Sequence, residues 1–321
     1  MNLSAHLAPI ARPWSLDEMA AALRFAWTHG GGWMVALAFP PNVTPEQVGQ
    51  LDLLKEQTGC RLHLRCYEHA PILRYDPVAW GERCADILRP YLHLVDLATT
   101  SNEDNLPEEG GVTDPARLAD WYLSSAYRLR QLLGGACPPL AVPPLSPAVA
   151  GYRETHEAMA GALSHAFDAV ACHVYAREGN YSDVAWLESL YGLPVHVKEF
   201  DTHTDAGYVS LSAALAAMPA AQSVAWFALD GDDPAFKDFY FVPNEAAILG
   251  GGLDIMPPRD EEFANRIALL EQQQGLTLDL IQRVLEGRWD AATFGAEAAD
   301  ALLQSFNPKY AGVRAVKFPN P

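Results

Sequence analysis

Short apolar runs begin near Leu3, Trp33, Arg61, Leu92, Pro139, Asp168, Pro194 and Ser223, and stretches with helical spacing separate them. Runs recurring at roughly 30 residues, with one longer gap, predict successive strand–helix–strand units feeding a parallel sheet. Several helix boundaries are marked. Ser15 with Glu18 makes a capping-box pattern, and Thr44-Pro45-Glu46-Gln47 combines an N-cap, a proline at the first helical position and a glutamine. Asp114-Pro115 opens a helix with Leu118, Trp121, Tyr122, Ser125, Leu129 and Leu132 at helical spacing. Gly59 and Gly134-Gly135 supply helix ends.

Eight strands and the helices between them predict an α/β chain folded as a (β/α)8 TIM barrel, its last helix at 261–274. An open doubly wound sheet is the alternative. It would carry a glycine-rich turn after its first strand, and no GxGxxG follows Leu3 to Ala8. Gly30-Gly31-Gly32 precedes a strand and so reads as a helix end and turn. Beyond residue 275 the rhythm changes. Leu278, Ile281, Val284 and Leu285 mark one short helix, and Thr293 to Phe306 another. The division expected is a barrel over 1–275 and a helical tail over 276–321, packed on the barrel or making a homo-oligomer contact.

Composition narrows the partners. The 321 residues hold 22 Lys+Arg against 40 Asp+Glu, a formal charge of −18 that offers no footprint for nucleic acid or an anionic membrane surface. No window approaches the roughly 18 continuous apolar residues of a membrane span. The first twelve residues lack a basic segment followed by a long apolar one, which predicts no signal peptide and a cytoplasmic protein. Cys60, Cys66, Cys84, Cys137 and Cys172 are scattered, with no CxxC pair, and read as reduced thiols.

In this architecture chemistry sits at the C-terminal ends of the strands. The runs break at His6, at Arg65 to His69, at Ser101 to Asn105, at His173 and Tyr175, at Lys198 to Asp201, and at Trp226 to Asp230. Period-two alternation puts Ala169, Ala171, His173 and Tyr175 on one face of the sixth strand, and Val195, Val197 and Glu199 on one face of the seventh. Glu103 and Glu199 then end strands on opposite sides of a closed barrel. Two carboxyl groups facing across its mouth suit glycoside hydrolysis, one protonating the departing oxygen and the other attacking the anomeric carbon.

Asn102-Glu103-Asp104-Asn105 after the fourth strand resembles the Asn-Glu-Pro-Asn motif of the retaining glycoside hydrolases of clan A. Glu199 within Val197-Lys198-Glu199-Phe200-Asp201 is similar to that clan's nucleophile, and His173, Tyr175 and Trp226 are similar to clan positions. The resemblance covers about residues 1 to 260. It implies Glu103 as acid/base, Glu199 as nucleophile, and Asn102 as a hydrogen-bond partner of the sugar 2-hydroxyl. It also implies Tyr175 as a donor to Glu199 and Trp226 as an apolar floor for a sugar face. The chain departs from the pattern at Asp104, which replaces a proline and either raises the Glu103 pKa or points to solvent. It departs again at Lys198, which replaces a small or hydroxyl residue, and in its arginine. The clan's arginine comes from the second strand, whereas here Arg65 on the third is the candidate.

Other readings stand beside this one. His173 is a substrate contact or a satisfied polar residue, and Arg65 pairs Glu199 or a rim acid. Phe236, Phe239, Tyr240 and Phe241 wall a cleft or pack a core. His6 and His63 read as structural, and His203 and Asp205 as a solvated loop. A metal-dependent sugar isomerase or epimerase would use Glu103, His173 and Glu199 as ligands, but the fifth strand supplies no carboxylate between them. A non-catalytic glycan-binding barrel is the third reading. The favoured one needs no metal or cofactor, and its partner is a carbohydrate, a neutral or amino sugar suiting the rim acids and aromatics better than a polyuronate.

Overall fold

The computed structural model describes residues 3–7, 16–29, 32–38, 45–67, 74–175, 179–204, 207–208, 211–229, 240–241 and 248. Strands and helices alternate: β1 (Leu3–His6), α1 (Leu16–His29), β2 (Trp33–Ala38), α2 (Pro45–Thr58), β3 (Arg61–Cys66), α3 (Pro77–Leu88), β4 (Val95–Thr99), α4 (Pro115–Leu133) and β5 (Ala141–Val142). There follow α5 (Tyr152–Leu163), β6 (Ala169–Tyr175), α6 (Asp183–Tyr191), β7 (Val195–Asp201), a short hairpin β8 (His203–Thr204) and β9 (Gly207–Tyr208), α7 (Leu211–Ala216) and β10 (Ala221–Trp226). The tail, the helix expected at 261–274, Asp205, Phe236 and Phe239 lie outside the described residues.

Eight strands join in the order β4-β3-β2-β1-β10-β7-β6-β5, with parallel pairing throughout. Ala98 on β4 and Leu140 beside β5 add one more parallel bridge, which joins the two ends of the sheet into a barrel. The expected (β/α)8 architecture is therefore present. Two strands are shorter than the apolar pattern suggested. The run near Leu92 becomes β4 only at Val95, because Arg89–Tyr91 forms a 3-10 turn whose Tyr91 carbonyl accepts from Leu94 N–H at 2.7 Å. The run from Pro139 yields just Ala141–Val142 as β5, its prolines having no N–H for the ladder. After β7 the chain forms the short β8–β9 hairpin, in which His203 pairs with Tyr208.

Helix ends follow the sequence where they are described. The Asp114 side chain accepts from Ala116 N–H at 3.1 Å at the start of α4, and Gly134 ends that helix with φ 54°, a conformation favouring glycine. Helices α3 and α4 approach closely at Gly81, where an added Cβ would lie 2.5 Å from the Ser125 carbonyl oxygen. This pair backs the loop leaving β4. Trp80 on α3 is fully buried and donates from its indole N–H to the Thr100 carbonyl at 2.7 Å.

The main core lies between the sheet and the helices. A smaller cluster of Leu97, Ala141, Ala169 and Ala171, with Trp33 packed against it, belongs to the other face of the strands, inside the barrel. His6, His63 and His196 are also buried on this inner face, and His196 meets Trp33 edge-on at 4.7 Å. Small side chains on β5 and β6 thus complement large polar ones on β1, β3 and β7. All five cysteines are free thiols.

Candidate active site

The described parts of the strand C-terminal ends gather Arg65, Glu103, His173, Tyr175, Lys198 and Glu199. On β6 the alternation holds. Ala169 and Ala171 line the small inner cluster, and His173 and Tyr175 follow on the same face toward the mouth. On β7 it fails, which corrects the expectation that Val195, Val197 and Glu199 share a face. Val197 pairs with Cys172 and Val224 and packs in the outer core, yet His173 pairs with Glu199 and Trp226 with Phe200. One extra residue therefore sits in β7 opposite both neighbours. Such a bulge re-aims side chains. It brings Lys198 and Glu199 to the inner side in succession and returns Phe200 to the outer core.

Glu199 is held on both oxygens. Arg65 donates from Nη1 to Oε1 at 2.9 Å, and the Tyr175 hydroxyl donates to Oε2 at 2.5 Å. Burial would push this carboxyl upward, but His173 and Arg65, with His6 and Lys198, pull its pKa below the usual carboxylate range. Burial and the charges of Glu199 and Glu103 raise Tyr175 well above the usual phenol value, which keeps it a donor. Arg65 also lies over the Tyr67 ring, 4.8 Å from its centroid. Glu199 is thus fixed as an anion.

Glu103 follows β4 in a left-handed backbone conformation, φ 46°, uncommon for a residue with a Cβ. Its neighbours hold it there. Glu103 N–H donates to the Pro144 carbonyl at 2.8 Å, and the Asn105 side chain clamps Ser146 by donating to its carbonyl at 2.9 Å and accepting from its N–H at 2.7 Å. Asp104, expected either to raise Glu103 or to face solvent, is instead fully buried. Its Oδ2 accepts from Ser101 at 2.6 Å and from the Tyr122 hydroxyl at 2.7 Å. Burial pushes Asp104 up to about 7, against the pull of those two hydrogen bonds.

His173 connects the two acids. Its Nδ1 is 2.8 Å from Glu103 Oε1 and 3.5 Å from Glu199 Oε2. Asn102 is buried beside them, and Lys198 donates from Nζ to Asn102 Oδ1 at 3.2 Å. Burial, with Arg65 nearby, lowers the Lys198 pKa well below its usual value, while Glu199, Glu103 and Asp104 act in the opposite direction. Among the described residues, no group of three or more His, Cys, Asp and Glu could hold a metal ion, and Glu103, His173 and Glu199 make no such set.

Trp226 is not a floor of this site. It is fully buried on the outer side of the sheet, edge-on to Phe200 and Phe241 at 5.6 and 5.5 Å. Phe241 thereby joins the core; Tyr240 beside it is buried too. The inward aromatic is the next residue, Phe227, half-buried and edge-on to His6 at 5.1 Å. The sequence offered a signal for it, since Ser223, Ala225 and Phe227 alternate with the outward positions. Glu109 was also missed. It is half-buried in the loop after β4, and burial raises its pKa, with Arg65 opposing and the charges of Glu103 and Glu199 adding. His6 is buried at the end of β1, its pKa lowered to about 3 by burial, with Arg65 and Lys198 adding and Glu199 opposing. Among the described residues no helix is long and apolar enough to cross a membrane.

No family model and no curated protein matches the sequence. Similar solved structures include the catalytic domain of a Thermobifida fusca endoglucanase, at 13% identity and TM-score 0.49, covering 83% of this chain and 91% of that one. A glucosidase from Croceicoccus marinus matches at 11% identity and TM-score 0.48 over 70% of this chain, which spans 59% of the glucosidase. An orotidine 5′-phosphate decarboxylase from Pyrococcus horikoshii matches at 8% identity and TM-score 0.42, covering 70% of this chain and 88% of that one. Barrels of one architecture host unrelated chemistries, so a functional reading has to rest on the site.

Proposed function

We propose that the chain is a retaining glycoside hydrolase with Glu103 as acid/base and Glu199 as nucleophile. The observation that carries this reading is the shared neighbour of the two carboxyl groups. Glu103 Oε1 and Glu199 Oε2 lie 2.8 and 3.5 Å from one nitrogen of His173. They cannot be farther apart than those two legs together. That spacing is compatible with the roughly 5–5.5 Å between the carboxyl groups of a retaining enzyme.

The environments suit two different tasks. Glu199, paired with Arg65 and Tyr175, is an anion ready to attack the anomeric carbon. As the Glu199–carbon bond forms, the glycosidic C–O bond breaks and Glu103 gives its proton to the departing oxygen. Glu103, now a carboxylate, takes a proton from water. The water oxygen attacks the same carbon and returns Glu199 as carboxylate. The hydrogen bond between Glu103 and His173 serves both stages without moving a proton, since Nδ1–H donates to Oε1 of the acid and of the carboxylate alike and leaves Oε2 to carry the proton that is transferred. The substrate is a carbohydrate, a neutral or amino sugar in preference to a uronic acid.

The test is covalent trapping. Incubation with 2,4-dinitrophenyl 2-deoxy-2-fluoro glycosides is expected to add one glycosyl mass to the peptide containing Glu199. Glu103→Gln should lose most turnover on poor leaving groups and regain turnover on activated ones with azide. Turnover of unfluorinated glycosides without any ester on Glu199 would overturn the assignment of the nucleophile. A wild-type protein inert toward the whole panel would overturn the activity.

A further inference from the structure

Lys198 plays no part in the two displacement steps, yet its side chain is wholly buried at the mouth. The bulge in β7 is what turns it inward, immediately before Glu199. Its ammonium meets the Asn102 carboxamide, Nζ to Oδ1, at 3.2 Å. Among the described residues the Asn102 side chain makes no other hydrogen bond, so its two N–H donors remain for a ligand.

We infer that Lys198 is a positioning residue that fixes the polarity of the Asn102 amide, oxygen toward the lysine and N–H donors toward the sugar. A carboxamide is nearly symmetric in shape, and rotation by half a turn exchanges donor for acceptor. An ammonium has three donors and no acceptor, so only the amide oxygen can face it. Burial and Arg65 lower the Lys198 pKa well below its usual value, with Glu199, Glu103 and Asp104 opposing them, and the contact itself, Nζ to the amide oxygen at 3.2 Å, is the one an ammonium makes. The amide is then presented as a donor beside the reacting centre. The matching substrate carries an acceptor oxygen next to the anomeric carbon, as a 2-hydroxy sugar does. Hydrogen bonds at that hydroxyl strengthen as the transition state forms, and a donor set in advance spends nothing on reorientation at that moment. This inference rests on the glycosidase reading.

The experiment compares kcat/KM on 2,4-dinitrophenyl glycosides and on their 2-deoxy counterparts, for wild type and Lys198→Met. The variant is expected to lose on the order of 10- to 100-fold on the 2-hydroxy substrates and much less on the 2-deoxy ones. Asn102→Ala should show the same selective loss, and the double variant little more than either single one. Equal losses on both substrate types would make Lys198 a structural residue and overturn the inference while leaving the hydrolase reading intact. An inert wild type overturns both. Should the methionine variant not fold, Lys198→Gln serves instead. Glutamine can present either end of its own amide, so the 2-hydroxy preference again shrinks, and an unchanged preference overturns the inference.

Discussion

Arg65 on β3 reaches Glu199 on β7 across the barrel, Nη1 to Oε1 at 2.9 Å, with the two side chains only 6% and 7% exposed. Together with His173, the larger influence, Arg65 keeps the Glu199 pKa below the usual carboxylate range where burial alone would raise it. Removing one partner of such a pair typically costs about 3–5 kcal/mol, because the other charge stays buried. Arg65→Met should therefore lower the unfolding free energy by about that amount in urea melts at pH 7.

The same pair sets a pH dependence. A carboxyl whose folded pKa is lowered adds stability above its unfolded value of about 4.3, and loses it as pH falls toward the folded value. Wild type should keep the Glu199 contribution through the mildly acidic range. In Arg65→Met the Glu199 pKa rises, so the acid limb of the pH–rate profile moves to higher pH. An unmoved limb would mean that Arg65 does not govern the ionisation of Glu199.

Asp104 predicts the opposite sign. Its folded pKa, pushed up to about 7 by burial, lies above the unfolded value. Stability is complete below about pH 4 and declines as pH rises from there toward about 7, with no further change from this group above that. Asp104→Asn should flatten the stability profile between about pH 4 and 7, as thermal melts across a buffer series would reveal.

Asn105 ties the loop of the acid to the loop after β5 through two hydrogen bonds to Ser146. Asn105→Ala leaves a buried N–H and a buried carbonyl unpaired, and should cost about 1–3 kcal/mol. Because Glu103 sits two residues away in a left-handed conformation, kcat should fall more than KM rises. A loss of stability with unchanged kcat would separate the clamp from the chemistry.

Trp226 and Phe227 should behave differently despite being adjacent. Trp226→Ala empties a core site between Phe200 and Phe241 and should destabilise by about 3–5 kcal/mol. Phe227→Ala, at a half-buried inner position, should change the melting temperature less and raise KM for aryl glycosides more. If the two profiles were reversed, the face assignment on β10 would be wrong.

The amino-acid pattern alone was enough for the barrel. Apolar runs alternating with helical spacing have few other solutions, because each strand and each helix must bury one face against the other kind. Simple alternation was also enough for His173 and Tyr175, since β6 runs regularly from Ala169 to Tyr175. Glu103, Glu199 and Arg65 were legible as polar residues at strand ends, where a barrel places its chemistry.

Tertiary pairing decided the rest. A bulge exists only relative to the strands beside it, so nothing in Val195 to Asp201 alone announces that Lys198 and Glu199 both turn inward. The same register sends Trp226 outward with Phe200 and leaves Phe227 at the mouth. Asp104 looked like a rim acid because its chain neighbours are polar. Its burial follows from Tyr122 on α4, eighteen positions away, closing over it with a hydroxyl. Sequence thus determined which residues reach the mouth by period, and packing between distant strands determined those that reach it by breaking the period.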